Sequence, residues 1–422
     1  MRENINYNFD LRDKGLSNAL DSINMPRHRW YFYKEGFSPK LVEKAINSSI
    51  FSTDSPLILD PFNGSGTTTL TASFLGLSSR GIEVNPFTSS LAELKQIRIN
   101  PFSIENIKDN FFECVHSGQQ SPLLNFSTFS EETGYEKWLF NSEILNSFEG
   151  GWSFTNNIKS KKLKDVLRLS LIIAAMQNCN AKRDGKCLRY RENWKEQKLS
   201  KNTFIKALND ILNIFQEDIN NSKIHKEAHL LNSDIRDHRS TMGLQNFDLC
   251  ITSPPYLNTF DYTDIYRPEL FLGKYVHNNK DLYNLRLRTV RSHIQAKWKT
   301  PTNENFGLIY KNVFNEIFHK KNMLMDKRIP SMIQAYFEDM QKILNVLLTK
   351  CTSNGSLWLV VSNSAYANIE VPVDLILADI GSNLGWKLRE IGVLRNVRKR
   401  KTKYSPDINS LRESVVIFDK KH

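Results

Sequence analysis

The chain has 422 residues, 40% hydrophobic and 24% charged, with a formal net charge of +12. That balance excludes a disordered or collagen-like chain and leaves room for two or three structural units around a sizeable core. The surplus of lysine and arginine points to an anionic partner, nucleic acid foremost.

The N-terminal stretch MRENINYNFDLRDKG is polar and mixed in charge, unlike a secretory signal. The first predicted strand is Pro56–Asp60 (PLILD), followed by a helical pattern in TTTLTASFLGL. Arg80–Val84 (RGIEV) reads as the second strand, with TSSLAELKQI as its helix. From about Asn100 to His229 the chain reads mainly as helices, with polar loops around FEGGWSFTNN and NCNAKRDGKCLRYRENW. Its longest apolar run, Leu169–Met176, is far too short to cross a bilayer, so no membrane association is expected. Strands resume at Phe247–Ser253 (FDLCITS). A basic tract poor in strand signals covers about Tyr275–Pro330. Gly355–Asn363 (GSLWLVVSN), a helix in VPVDLILADIGSNLG and the strand Glu413–Phe418 (ESVVIF) complete the chain. Continuous apolar strands alternating with helices predict a doubly wound, Rossmann-like α/β sheet. The expected division places the α/β domain at 1–100, 230–274 and 336–422. A large, mainly helical insertion takes 101–229, where a target-recognition role is expected. A smaller basic insertion at 275–335 is a candidate for DNA contact.

Between the first strand and its helix lies Asp60-Pro61-Phe62-Asn63-Gly64-Ser65-Gly66-Thr67. A strand, a glycine turn and a helix in this order let a nucleotide approach the main chain closely. Glu83 ends the next strand, at the spacing where an acidic side chain takes both ribose hydroxyls. Thr69 stands where a dinucleotide fingerprint has its third glycine. The loop therefore suits an adenosine ligand without phosphates, S-adenosylmethionine.

The strand Phe247–Ser253 stops at Ser253-Pro254-Pro255-Tyr256. Two prolines fix φ and remove two backbone donors, so the carbonyls of Ser253 and Pro254 can face a pocket without adjacent N–H groups. A planar base with an exocyclic amine can donate to the Ser253 hydroxyl and the Pro254 carbonyl while Tyr256 stacks on its face. In a duplex that amine is hidden, so the base has to be flipped out.

The pair DPFNGSGTT and TSPPY resembles the amino-methyltransferases of DNA, which methylate cytosine N4 or adenine N6 with S-adenosylmethionine. The resemblance implies a methyltransferase sheet in which Asp60, Pro61, Phe62, Gly64, Gly66 and Thr67 line the cofactor and Ser253, Pro254, Pro255 and Tyr256 form the catalytic loop. Arg27–Leu41 (RHRWYFYKEGFSPKL) is similar to the segment beside the cofactor's methionine end, matching at Tyr33, Lys34, Phe37 and Pro39. Leu230–Asp237 (LLNSDIRD) resembles the strand end whose acidic residue takes the adenine amine, here Asp234. Many Ser-Pro-Pro-Tyr members carry the two loops in the reverse order, so which segment reads the target stays open.

Within the family it resembles, serine in the first position goes more often with cytosine N4, which is the favoured target here, with adenine N6 as the alternative and an RNA base as a more distant one. An idle DNA-binding module that has kept the fold is the reading from another class. No Pro-Cys dipeptide is present to attack cytosine C5. The expected partner is duplex DNA, with a cognate restriction endonuclease as a further candidate. No metal is expected: His225 and His229 are four apart but lack a third ligand. The scattered cysteines (Cys114, Cys179, Cys187, Cys250, Cys351) form no CxxC pair and fit a reducing cytoplasm. Three basic tracts could follow phosphates, Asn180–Lys198, Arg286–Lys299 and Leu394–Tyr404, the first being favoured for target contact.

Overall fold

Central strands of a parallel sheet are buried on both faces, and the segment Leu57–Asp60 obeys that rule. In the computed structural model, which describes residues 4–9, 15–184, 187–398, 403–405 and 407–420, Ile58 and Leu59 are both fully buried. Ile58 packs with Leu249, Ile251, Trp358 and Val360 on one face. Leu59 packs with Cys250, Leu357 and Leu359 on the other. Each such side chain contributes about 1.5–3 kcal/mol relative to exposure.

Among the described residues the strands are β1 (Ile5–Asn6), β2 (Leu57–Asp60), β3 (Ser78–Glu83), β4 (Ala181–Asp184), β5 (Cys187–Tyr190) and β6 (His229–Asn232). They continue as β7 (Phe247–Thr252), β8 (Cys351–Ser362), β9 (Ser364–Tyr366), β10 (Ile369–Val371), β11 (Trp386–Arg398) and β12 (Ser410–Lys420). Eight of them form one sheet in the order β1-β11-β12-β8-β7-β2-β3-β6. β12 runs antiparallel to both its neighbours, β8 and β11, and the other pairings in the sheet are parallel. The chain steps outward from β2 to β3 and β6, then returns to β7 on the opposite side of β2. Strand order therefore reverses between β2 and β7, the crevice where doubly wound sheets bind ligands. The five strands read from sequence overlap β2, β3, β7, β8 and β12, four of them running one residue past an observed end. β11 escaped notice because its charges interrupt the apolar pattern, and register shifts at Leu388/Glu390 and Val393/Arg395 break its alternation.

The long insertion is built on the helices Lys108–Ser117, Ser142–Asn156, Lys161–Gln177 and Lys201–Asn221. The last begins with a capping box between Ser200 and Thr203. Two expected loops are corrected here. FEGGWSFTNN belongs to the helix Ser142–Asn156, whose Gly150 and Gly151 permit close packing. A Cβ on Gly150 would stand 2.3 Å from the Cys114 carbonyl oxygen. The stretch NCNAKRDGKCLRYRENW contains the antiparallel hairpin β4–β5, whose tip, Gly185 and Lys186, lies outside the described residues.

Asp218, 1% exposed, ties this insertion to the N-terminal segment. It accepts the Arg27 backbone N–H at 2.7 Å, the Trp30 indole N–H at 2.8 Å and a bidentate pair of bonds from Arg29. The buried Arg27 guanidinium donates to the carbonyls of Lys95, Ile97 and Ser222. In the second insertion, Arg291 is 7% exposed and paired with Glu338 and Asp339, while Arg286 pairs with Asp261 at 2.6 Å. Two arginines of the tract Arg286–Lys299 are thus internal struts rather than free phosphate ligands. The tract Leu394–Tyr404 falls partly outside the described residues. No helix among the described residues is long and apolar enough to cross a membrane.

Candidate active site

The last residues of β2 and β7, Asp60 and Thr252, stand side by side at the carboxyl edge of the sheet. The Thr252 hydroxyl donates to the Asp60 carboxylate at 2.6 Å, and the Thr68 hydroxyl donates to its other oxygen at 2.7 Å. The Phe62 N–H adds a third bond at 3.0 Å. One buried carboxylate therefore fastens the glycine turn to the strand that ends in Ser253-Pro254-Pro255-Tyr256. Burial raises its pKa to about 6 against these hydrogen bonds.

The turn is held from below by Asn63, which fills the space left by the absent side chain of Gly81. A Cβ there would meet the Asn63 amide carbon at 2.5 Å. Gly64 adopts φ 48°, and its missing Cβ makes room for the Tyr33 ring, 3.0 Å from where that atom would stand. Three N–H groups of the turn are already engaged. Asn63 donates to the Ile82 carbonyl, Gly64 to Glu83 at 2.8 Å and Gly66 to the Asn63 carbonyl. A phosphate cradle needs such amides free, so the donor set suits a ligand without phosphates.

Glu83 accepts from the Gly64 and Asn85 N–H groups, both at 2.8 Å. Burial pushes its carboxyl up to about 7, and the two backbone donors act against that rise. Asp234 follows β6 and holds Arg236 in a bidentate pair, with the closest contact at 2.7 Å.

A cavity of about 450 Å³ joins the two loops. Its walls include Tyr33, Lys34, Phe37, Asp60, Pro61, Phe62, Gly64, Thr67, Glu83 and Asp234 from the expected cofactor side. Ser253, Pro254, Pro255 and Tyr256 come from the expected catalytic side. The volume lies within the range of small-molecule sites. Gly66 stands behind the wall. With φ 85°, it heads the helix Thr67–Phe74, and a Cβ on it would collide with Ala92 at 2.8 Å. Its service is close packing against the helix Pro86–Lys95.

Sequence reasoning missed several residues of this cavity. Glu35 lies beside Tyr33 and accepts a hydrogen bond from the Tyr266 hydroxyl. Burial raises the Glu35 pKa. Glu413 on β12 and Arg395 on β11 also line the cavity, and Arg395 donates to Glu413. The Ser253 hydroxyl donates to the Tyr256 hydroxyl at 3.3 Å, which donates to Glu413 at 2.8 Å. Arg183, from β4 in the insertion, lies 4.5 Å above the Tyr266 ring and pairs with the buried Glu269. Only the ring-rich run after Tyr256 hinted at these neighbours.

A family model described as DNA methylase (N6_N4_Mtase) matches residues 13–94, the part carrying the glycine turn and Glu83. The Type II methyltransferase M.BsoBI of Geobacillus stearothermophilus is 26% identical, over 94% of this chain and 86% of that protein. The Type II methyltransferase M.AvaI of a Nostoc species is 27% identical, over 87% and 81%. Among solved structures, an rRNA methyltransferase of Streptomyces viridochromogenes covers 91% of this chain and 85% of its own at 10% identity. Its TM-score of 0.29 is too low to add to the fold already read from the strand order. The chain that opens its glycine turn and its Ser-Pro-Pro-Tyr loop from neighbouring strands is thus similar to DNA methylases over residues 13–94 and to Type II methyltransferases over most of its length.

Proposed function

We propose that this protein is a sequence-specific Type II DNA methyltransferase acting on cytosine N4 of a flipped-out base, in restriction–modification or genome marking. The observation that carries the reading is the Asp60–Thr252 bond, which sets both loops on the rim of one cavity. The Type II relatives span nearly the whole chain, which supports the DNA substrate.

S-adenosylmethionine, when bound, supplies an electrophilic methyl group. The chain's residues do the rest. Glu83 would take the ribose hydroxyls, Asp234 would hold the adenine end, and Tyr33, Lys34 and Phe37 would flank the methionine end. Ser253 and the Pro254 carbonyl accept the two amine hydrogens, directing the nitrogen lone pair toward the donor. Tyr256 packs on the base. Alignment of this kind contributes up to roughly 7–11 kcal/mol. As the nitrogen becomes cationic the same acceptors strengthen, and its proton leaves to water. DNA contact is assigned to the hairpin β4–β5, where Lys182 and Arg189 are exposed.

Serine at this position goes more often with cytosine N4 among the amino-methyltransferases the chain resembles, while adenine N6 presents the same kind of amine to the same acceptors. Nucleoside analysis of methylated duplex DNA separates them: N4-methylcytosine is expected, and N6-methyladenine would overturn the cytosine assignment. Preferential methyl incorporation into competing RNA would overturn the DNA assignment.

A further inference from the structure

A hydroxyl group is an ambiguous recognition element, since it can donate as well as accept. For Ser253 to hold an exocyclic amine it has to accept. If its own hydrogen pointed into the cavity, it would repel the amine hydrogens and select a carbonyl instead. A carboxylate at this position would carry no such ambiguity. The cavity wall contains an arrangement that removes it.

Glu413 is 3% exposed, and its two oxygens are used differently. Oε2 accepts from the Arg395 guanidinium, and Oε1 accepts from the Tyr256 hydroxyl at 2.8 Å. An ionised carboxylate has nothing to donate, so the Tyr256 hydrogen has to point at Glu413. The Tyr256 oxygen is then left with lone pairs only, and it receives the Ser253 hydrogen at 3.3 Å. That separation is long for a hydroxyl pair, as catalytic hydrogen bonds commonly are without substrate. The chain of donors runs one way, from Ser253 through Tyr256 to Glu413. Arg395 fixes the far end, and its side chain is 47% exposed while that of Glu413 is 4% exposed.

We infer that Glu413 is a positioning residue that, through Tyr256, turns the Ser253 hydroxyl into a pure acceptor for the target amine. The relay gives serine the directionality of a carboxylate without placing a second negative charge against the base. It also holds the Tyr256 ring by its hydroxyl, so the ring is preset before a base arrives. The inference rests on the reading of Ser253 as the amine acceptor.

The test is a mutant cycle on the full-length protein, using tritiated S-adenosylmethionine and methylated duplex as readout. Glu413→Gln can donate an amide hydrogen to Tyr256 and reverse the chain. Tyr256→Phe keeps the ring and breaks the chain. Each is expected to lower kcat at least about tenfold, the worth of one hydrogen bond, with cofactor and DNA affinities within about twofold. The double variant is expected to be no worse than the poorer single variant, since both cut one path. In a Ser253→Asp background, where the acceptor needs no relay, the Glu413→Gln loss should shrink severalfold. Should Ser253→Asp fail to turn over, the Tyr256 cycle decides alone. Near-normal kcat in both single variants, or losses that multiply, overturns the relay. Ser253→Ala separates the two levels. Its severe loss alongside normal Glu413→Gln turnover sinks the relay only, whereas near-normal Ser253→Ala activity sinks the site reading itself.

Discussion

Among single residues, Ser253 and Tyr256 carry the heaviest functional assignment. Replacing either by alanine should lower turnover about a hundredfold or more while leaving cofactor binding intact, because only alignment and charge stabilisation are removed. Single-turnover kinetics checks this, and near-normal rates in both variants would remove the assignment. Gly64 is constrained twice, by φ 48° and by the Tyr33 ring 3.0 Å from any Cβ. Gly64→Val should therefore abolish cofactor binding by titration calorimetry, and an unchanged affinity would count against the turn. Glu83 makes a pH prediction. Its folded pKa, about 7, lies above the ordinary 4.5, so its contribution to folding is complete below pH 4.5 and is lost as pH rises through 7. On the proposed ribose contact, cofactor affinity runs the other way, since only the ionised form can accept from both hydroxyls. Between pH 6 and 8 it should rise about tenfold. A flat or falling profile would contradict the ribose assignment.

At the scale of elements, the insertion and the N-terminal segment are locked together through Asp218. Asp218→Ala would strand the Arg27 N–H, the Trp30 indole and part of Arg29 without their acceptor. The expected loss is about 3–5 kcal/mol, read from denaturant unfolding, with a loss under about 1 kcal/mol contradicting the strut. The sequence disclosed elements unevenly for physical reasons. β2 and β7 are short and apolar on both faces, and each runs straight into its motif, so strand and site were legible together. β11 was hidden by charges such as Lys387, Arg389 and Glu390 and by two bulges that shift its alternation. The helix Ser142–Asn156 was hidden by Gly150 and Gly151, which resemble a loop unless the neighbouring Cys114 carbonyl is seen. Glu413 and Arg395 could not be found at all from sequence. Glu413 reads as an ordinary strand charge and Arg395 as part of a basic tract suited to phosphates, until the fold brings β12 and β11 to the cavity.

For the molecule as a whole, charge and topology point the same way. A net charge of +12 on a chain whose sheet carries a cavity between two loops suits a polyanion that presents one base to that cavity. With Arg286 and Arg291 committed to internal pairs, fewer cations are free for phosphates than composition implies. If about six phosphates are neutralised, the logarithm of the binding constant should fall with the logarithm of salt at a slope near −5. Alanine at exposed Lys182 or Lys195 should each reduce that slope by about one if the hairpin region follows the backbone. Unaltered slopes would move the DNA to another face.

The central claim is that the donor and an everted base meet in the cavity between the β2 turn and the Ser253–Tyr256 loop. A crystal structure of the protein with S-adenosylhomocysteine and a duplex containing its site tests this most directly. Adenosine is expected against Glu83, and an extrahelical base with its amine between Ser253 and the Pro254 carbonyl. A base still stacked in the duplex, or a cofactor bound away from Gly64, would contradict it.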